Sequence, residues 1–145
     1  MNNNYIIREL EENDFEKYMI LMFEFTNYEY KITKESFCEK LNSMKKNNYN
    51  KIILIYSSDN NQLFACGTII KLEKLHNNPI GQIEDVIVSE KYRGLGLGKL
   101  IIEKLVTIGL NEFKCYKIIL NCLEKNIGFY KKSGFEVAGV EMKLC

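Results

Sequence analysis

Residues 81–110 read GQIEDVIVSEKYRGLGLGKLIIEKLVTIGL. The β-branched stretch GQIEDVIVSE (81–90) predicts a strand whose apolar alternation is disturbed at Glu84-Asp85. KLIIEKLVTIGL (99–110) puts Leu100, Ile101, Leu105 and Ile108 on one side of a helix. Between them runs RGLGLGK, with Gly94, Leu95, Gly96, Leu97 and Gly98 enclosed by Arg93 and Lys99. A helix N-terminus offers unpaired N–H groups and a partial positive charge. Glycines let the backbone approach an anion and turn its N–H groups inward. A phosphate or pyrophosphate is the natural guest. The dinucleotide form G-x-G-x-x-G fails, because Lys99 stands where the third glycine belongs. The nucleotide P-loop fails twice, with Arg93 at the first glycine and Leu100 at the Ser/Thr position. The pattern that fits is R-x-x-G-x-G at Arg93, Gly96 and Gly98.

Outward from this core, YIIREL (5–10) predicts a first strand and residues 12–25 an amphipathic helix capped by Asn13 or Asp14. Phe15, Tyr18, Met19, Met22 and Phe25 form its apolar stripe. Thr33 is set to cap a second helix, where Phe37, Leu41 and Met44 share a core face. KIILIYS (51–57) and QLFACGTIIKLEKL (62–75) predict a hairpin, and HNNP (76–79) the next turn. YKIILNC (116–122) predicts a buried strand, NIGFYKKSG (126–134) a short helix ending at Gly134, and FEVAGVEMKL (135–144) a closing strand. The order β-α-α-β-β-β-α-β-α-β describes an α/β (α+β) fold, a mixed central sheet flanked by helices. The Asn-rich snippets at 2–4, 47–50, 60–61 and 77–78 read as compositional bias.

The 145 residues suggest one domain, 1–145, with a core-forming 46% of hydrophobic residues. A net charge of +1 argues against a nucleic-acid partner. No apolar run suits a membrane span, and MNNNYIIREL lacks the apolar stretch of a signal peptide. The cysteines are Cys38, Cys66, Cys115, Cys122 and Cys145, with no C-x-x-C spacing and His76 as the only histidine. No metal site is expected, and the odd cysteine count reads as reduced thiols in a cytoplasmic protein.

The R-x-x-G-x-G loop, in its strand–helix setting, resembles the coenzyme A pyrophosphate loop of the GNAT family of N-acetyltransferases. The element order fits that fold. IEDV (83–86), CYKIIL (115–120) and N-x-x-F-Y-x-x-x-G-F (126–135) sharpen the likeness toward the branch that acetylates glucosamine 6-phosphate. That likeness is strong over residues 81–142 and weaker through YIIRELEENDFE and ITKESF. It implies acetyl-CoA as cosubstrate, an amino-sugar phosphate as acceptor, a place in UDP-N-acetylglucosamine synthesis and a homodimer joined through the C-terminal strands.

The resemblance also distributes roles. Arg93 to Lys99 and Asn126 would hold the cofactor, with the backbone of Val86, Ile87 and Val88 along its pantetheine arm. Tyr130 would serve the departing thiolate as acid. Its alternative place is a half-buried core aromatic between Phe129 and Phe135. Adjacent residues on a regular strand point to opposite faces, so Glu84 and Asp85 are not expected to form a carboxylate pair. The resemblance places both, with Thr26, at the sugar, and Glu84 or an ordered water at the ammonium proton. A bulge there would free N–H groups for the pantetheine. Asn121 stands where the family has an acid, but its main-chain carbonyl can still hold the amine. Cys145 stands near the family's terminal basic residue, which leaves Lys74, His76, Lys117 and Lys143 as phosphate ligands. Two alternatives remain open: a GNAT acetyltransferase for another small or protein amine, and a non-catalytic coenzyme A-binding module.

Overall fold

The computed structural model describes residues 4–145; Met1–Asn3, with part of the first Asn-rich snippet, lie outside the described residues. The strands are β1 (Ile6–Glu9), β2 (Asn50–Tyr56), β3 (Leu63–Lys74), β4 (Asn77–Val88) and β5 (Lys117–Leu120). The helices are α1 (Phe15–Thr26), α2 (Lys34–Asn47), α3 (Leu97–Thr107) and α4 (Ile127–Lys131). The sheet order is β1-β2-β3-β4-β5, antiparallel except for the parallel β4–β5 pair. The mixed sheet expected from the chain order is thus present.

Strand alternation divides the core in two. Ile53, Ile55, Ala65, Ile69 and Ile83 pack against Leu97, Ile101, Ile102 and Leu105 of α3. Leu54, Tyr56, Cys66 and Ile87 pack against Leu21, Met22, Phe37 and Leu41 of α1 and α2. Gly67 lets α3 sit close, since a Cβ there would lie 2.6 Å from Ile101 Cγ2. Thr33 caps α2 as expected, its Oγ1 accepting from the Ser36 N–H at 3.1 Å. Asp14 precedes α1 but does not cap it with its side chain. Asp14 is 3% exposed, and its carboxylate instead accepts from the two terminal guanidinium nitrogens of Arg8, the Tyr56 hydroxyl and the Glu11 N–H. Buried carboxylates persist where they are paired and hydrogen-bonded in this way.

Four expectations need correction. The segment 135–144 is not a strand: it has no regular secondary structure, and Val140 and Leu144 are 92% and 100% exposed. The β3–β4 turn is Leu75-His76, so Asn77, Asn78 and Pro79 belong to β4. Phe25 is exposed, because α1 turns Leu21 and Met22 inward. The asparagines are also more than bias. Asn27 and Asn48 end α1 and α2 in the left-handed conformation, and Asn60 has φ +60° in the β2–β3 turn. Asparagine tolerates that region better than most residues.

Candidate active site

The site begins at a change of parity in β4. On a regular strand Ile83 and Ile87 would share a face. Here Ile83 packs under α3 and Ile87 under α1 and α2. Cys66 pairs with Ile87 and Thr68 with Glu84, so Gly67 alone opposes Asp85 and Val86. This is a β-bulge, with Asp85 at φ +51°. It overturns the opposite-face expectation: Glu84 and Asp85 line the same cavity, of about 440 Å³, between the sheet and α1/α2. Glu84 accepts from Gln82 Nε2 at 2.6 Å. Desolvation pushes the Asp85 carboxyl above its ordinary value. Ionised Asp85 in turn helps hold Tyr18 and Cys66 protonated, both already driven up by burial.

The same point is where the sheet forks. The parallel pairing of β4 with β5 ends at Ile83↔Leu120. Glu84 and Asn121 are the next residues on their strands, so the fork opens between them. Beyond it β4 keeps β3 but has lost β5. The Ser89 N–H donates to Phe64 of β3 at 2.8 Å. Period-two alternation therefore turns the Val86 and Val88 N–H groups toward the vacated side, while Ile87 faces β3. Asn121, Cys122 and Tyr130 line a second cleft, of about 420 Å³, between β5, α4 and the terminal segment. Tyr130 packs against the α3-side core, with Phe129 and Phe135 edge-on at 5.0 and 6.1 Å. Burial, then the neighbouring Cys122, raises its phenol above the ordinary value, so it is protonated at neutral pH and can donate.

The glycine loop follows. Gly94 and Gly96 have φ +83° and +80°, and Gly96 is the N-cap of α3. The loop conformation therefore rests on these two. Gly98 serves packing instead. A Cβ there would meet Phe129 Cζ at 3.0 Å, so the bare backbone lets α4 approach α3 beside Tyr130. Leu97 is 1% exposed and anchors the loop in the core, whereas Leu95 is exposed. Arg93 Nε donates to the Val88 carbonyl at 3.3 Å, and Lys99 lies 3.9 Å from Glu103. Glu24 of α1 reaches across to the strand–loop junction, accepting from the Ser89 hydroxyl and the Glu90 N–H. Free helix N–H groups, glycine-set backbone and two cations suit a pyrophosphate.

Other residues singled out from sequence lie elsewhere. Thr26 is exposed at the end of α1, its hydroxyl donating to the Met22 carbonyl and accepting from the Tyr28 N–H. Lys74 and His76 stand at the β3–β4 tip, about 23 Å of strand from Glu84. Lys117 borders the Tyr130 cleft; Lys143 borders neither cavity, and Asn126 is exposed at the start of α4. Sequence reasoning missed Tyr18, Lys40, Asn50 and Thr68, which line the cavity with Glu84 and Asp85. Lys40 did carry a signal, because it shares helical spacing with Phe37, Leu41 and Met44.

A family profile described as "Acetyltransferase (GNAT) family" matches residues 6–135. Glucosamine 6-phosphate N-acetyltransferase 1 of Dictyostelium discoideum is 40% identical over 141 residues, covering 94% of this chain and 88% of that protein. Glucosamine 6-phosphate N-acetyltransferase of Candida albicans is 30% identical over 142 residues, covering 95% and 93%. The crystal structure of glucosamine-6-phosphate N-acetyltransferase from Arabidopsis thaliana superposes with a TM-score of 0.89 at 29% identity, covering 98% of each chain. With the forked sheet, the β4 bulge and the glycine-set turn into α3, these matches establish that the chain belongs to the acetyltransferase (GNAT) family.

Proposed function

We propose that residues 1–145 act as one N-acetyltransferase domain that moves the acetyl group of acetyl-CoA to the 2-amino group of glucosamine 6-phosphate. The observation that carries this reading is the fork. Where β4 and β5 part, Glu84 of the bulged acidic pair Glu84-Asp85 and Asn121 follow the last paired residues, and Asn121 lines one cleft with the Tyr130 phenol. The names of the relatives supply the acceptor. When bound, acetyl-CoA provides the activated acyl thioester. The backbone of Arg93–Lys99 and the α3 N-terminus hold its pyrophosphate, and the free Val86 and Val88 N–H groups hold the pantetheine arm. Glu84 and Asp85 hold the ammonium of the acceptor, and Glu84, directly or through water, takes its proton. The Asn121 carbonyl orients the amine. Tyr130 gives its proton to the departing sulfur, a role its protonated state suits.

The product would feed UDP-N-acetylglucosamine synthesis. The free thiols suit a cytoplasmic setting, and no helix among the described residues is long and apolar enough to cross a membrane. The chain would act as a homodimer, without a nucleic-acid or membrane partner. The β5 edge is open to a further strand, and the unpaired terminal segment exposes Val137, Val140, Met142 and Leu144. A partner's segment added there would cover both.

The test is turnover. The purified chain is incubated with acetyl-CoA and a panel of amines, and free coenzyme A is followed by mass spectrometry. Turnover with glucosamine 6-phosphate well above that with glucosamine, polyamines or peptides supports the reading. Equal rates across the panel would sink it.

A further inference from the structure

We infer that Cys66 of β3 is a positioning residue for acetyl transfer: its thiol grips the bulged Asp85 peptide and so keeps the Asp85 carboxylate aimed into the cavity. The inference rests on the proposed role of Asp85 toward the acceptor's ammonium. Cys66 Sγ donates to the Asp85 carbonyl at 3.6 Å. Strand register places the sulfur there. Cys66 pairs with Ile87 on one side of the interruption, and Thr68 pairs with Glu84 on the other. Two residues apart on one strand, Cys66 and Thr68 share a face. It is the face of α1 and α2, where Cys66 packs in the core and Thr68 lines the cavity with Glu84 and Asp85.

The bulge needs such a hold. Asp85 sits at φ +51°, a region that residues with a Cβ enter at a cost. A sparsely populated conformation persists only where its surroundings fix it. Asp85 and Val86 have no register partner in β3 or β5. Gly67 opposes them but has no side chain to offer. A Cβ there would point into α3, 2.6 Å from Ile101 Cγ2. Cys66 is the neighbour whose side chain faces the bulge from the cavity side. It is 1% exposed, and burial, with Asp85 beside it, keeps the thiol protonated and able to donate. A thiol is a weak donor, but a dry setting strengthens its bond to a carbonyl. A small apolar residue would fill the same space and leave the Asp85 carbonyl without this donor. The bond, and not the volume, is therefore what the inference assigns to Cys66.

The experiment measures steady-state kinetics with glucosamine 6-phosphate and acetyl-CoA for the unaltered chain, Cys66→Ala, Cys66→Ser, Asp85→Asn and the double variant Cys66→Ala/Asp85→Asn. Alanine and serine both shrink the side chain, and serine keeps a donor. Cys66→Ala should raise the KM for the sugar about threefold to tenfold, bounded by what Asp85 itself contributes. The KM for acetyl-CoA should hold. Cys66→Ser should recover most of the loss, although both variants melt lower than the unaltered chain because both lose packing. In the Asp85→Asn background Cys66→Ala should cost little more, since it acts through a carboxylate already removed. If Cys66→Ala does not fold, Cys66→Val fills the site without a donor and takes its place. Equal losses in the alanine and serine variants overturn the inference, because size and not the donor then decides. So does a full further loss in the double variant, which would separate Cys66 from Asp85. An unchanged sugar KM in Cys66→Ala overturns it too. Each of these leaves the acceptor reading intact. No turnover of glucosamine 6-phosphate by the unaltered chain removes the acceptor reading and this inference together.

Discussion

The loop from Arg93 to Lys99 and the cavity beneath α2 belong to opposite faces of one sheet and are built in opposite ways. The loop is contiguous and made chiefly of backbone: two glycines fix its path, and Leu97 pins it to the core. The cavity is assembled from side chains of α1, α2, β2, β3 and β4, drawn from residues far apart in sequence. A backbone site tolerates changes of side chain but not of conformation. A side-chain site behaves the other way. β4 joins them, because its bulge turns Asp85 into the cavity while the departure of β5 beyond Ile83 leaves the Val86 and Val88 N–H groups unpaired on the other side.

The largest effect is expected where the two halves meet. Tyr130→Phe should lower kcat about a hundredfold, the usual scale for a lost general acid. The KM of each substrate should stay close to its starting value. If the KM for acetyl-CoA rises while kcat holds, Tyr130 belongs to the binding half alone.

Next comes Asp85→Asn, which tests the side-chain half. Asparagine also accepts the left-handed backbone, so the bulge should persist. About tenfold should be lost in kcat/KM for the sugar, the effect of removing one charge from an ammonium. The sign with pH follows from desolvation, which raises this carboxyl. The ionised form that holds the ammonium then disappears as pH falls through a value above the ordinary aspartate range. The acid limb of the kcat/KM profile should lie above that range and move down in Asp85→Asn. Thermal stability near neutral pH should hold or rise, because the fold no longer carries a partly desolvated charge. A fall in melting temperature with an unmoved acid limb would assign Asp85 to the scaffold.

These expectations differ in how much of them the sequence announces. The loop is legible in one line, since glycine spacing is local and its mismatch with two other motifs narrows the ligand. The bulge is half legible. GQIEDVIV breaks its alternation at Glu84-Asp85, but only the pairing with Gly67 shows that parity switches there. A regular strand would send the two acids to opposite faces. The cavity is least legible, because Asn50, Thr68 and Lys40 converge only through strand register and helix packing. Lys40 shares helical spacing with the apolar stripe of α2 yet is exposed at the border of the cavity. The terminal segment misleads for a different reason. Its alternating Val140, Met142 and Leu144 specify an apolar edge but not the strand it pairs with, and within one chain it pairs with none.

On the loop itself, Gly96→Ala tests the backbone half. Holding a Cβ at φ +80° costs about 1 kcal/mol, a factor of about five. That factor should appear in the KM for acetyl-CoA, while the KM for the sugar stays put. A change confined to the sugar would mean that the loop does not serve the cofactor.

Glu24→Ala should have the smallest effect and the most to say about how the halves are joined. Glu24 lies on α1, on the cavity side of the sheet, yet its carboxylate accepts from Ser89 and Glu90 where β4 gives way to the loop. Ser89 is buried, so removing its partner leaves a hydroxyl poorly satisfied and the junction free to shift. The glycine-set turn itself is untouched, and the cost should be about threefold in the KM for acetyl-CoA. Glu24→Gln retains one acceptor oxygen and should fall between the two. If α1 only braces the loop, the KM for the sugar will not move in either variant. If it couples the sites, saturating sugar phosphate will change the apparent affinity for acetyl-CoA in the unaltered chain, and Glu24→Ala will abolish that change.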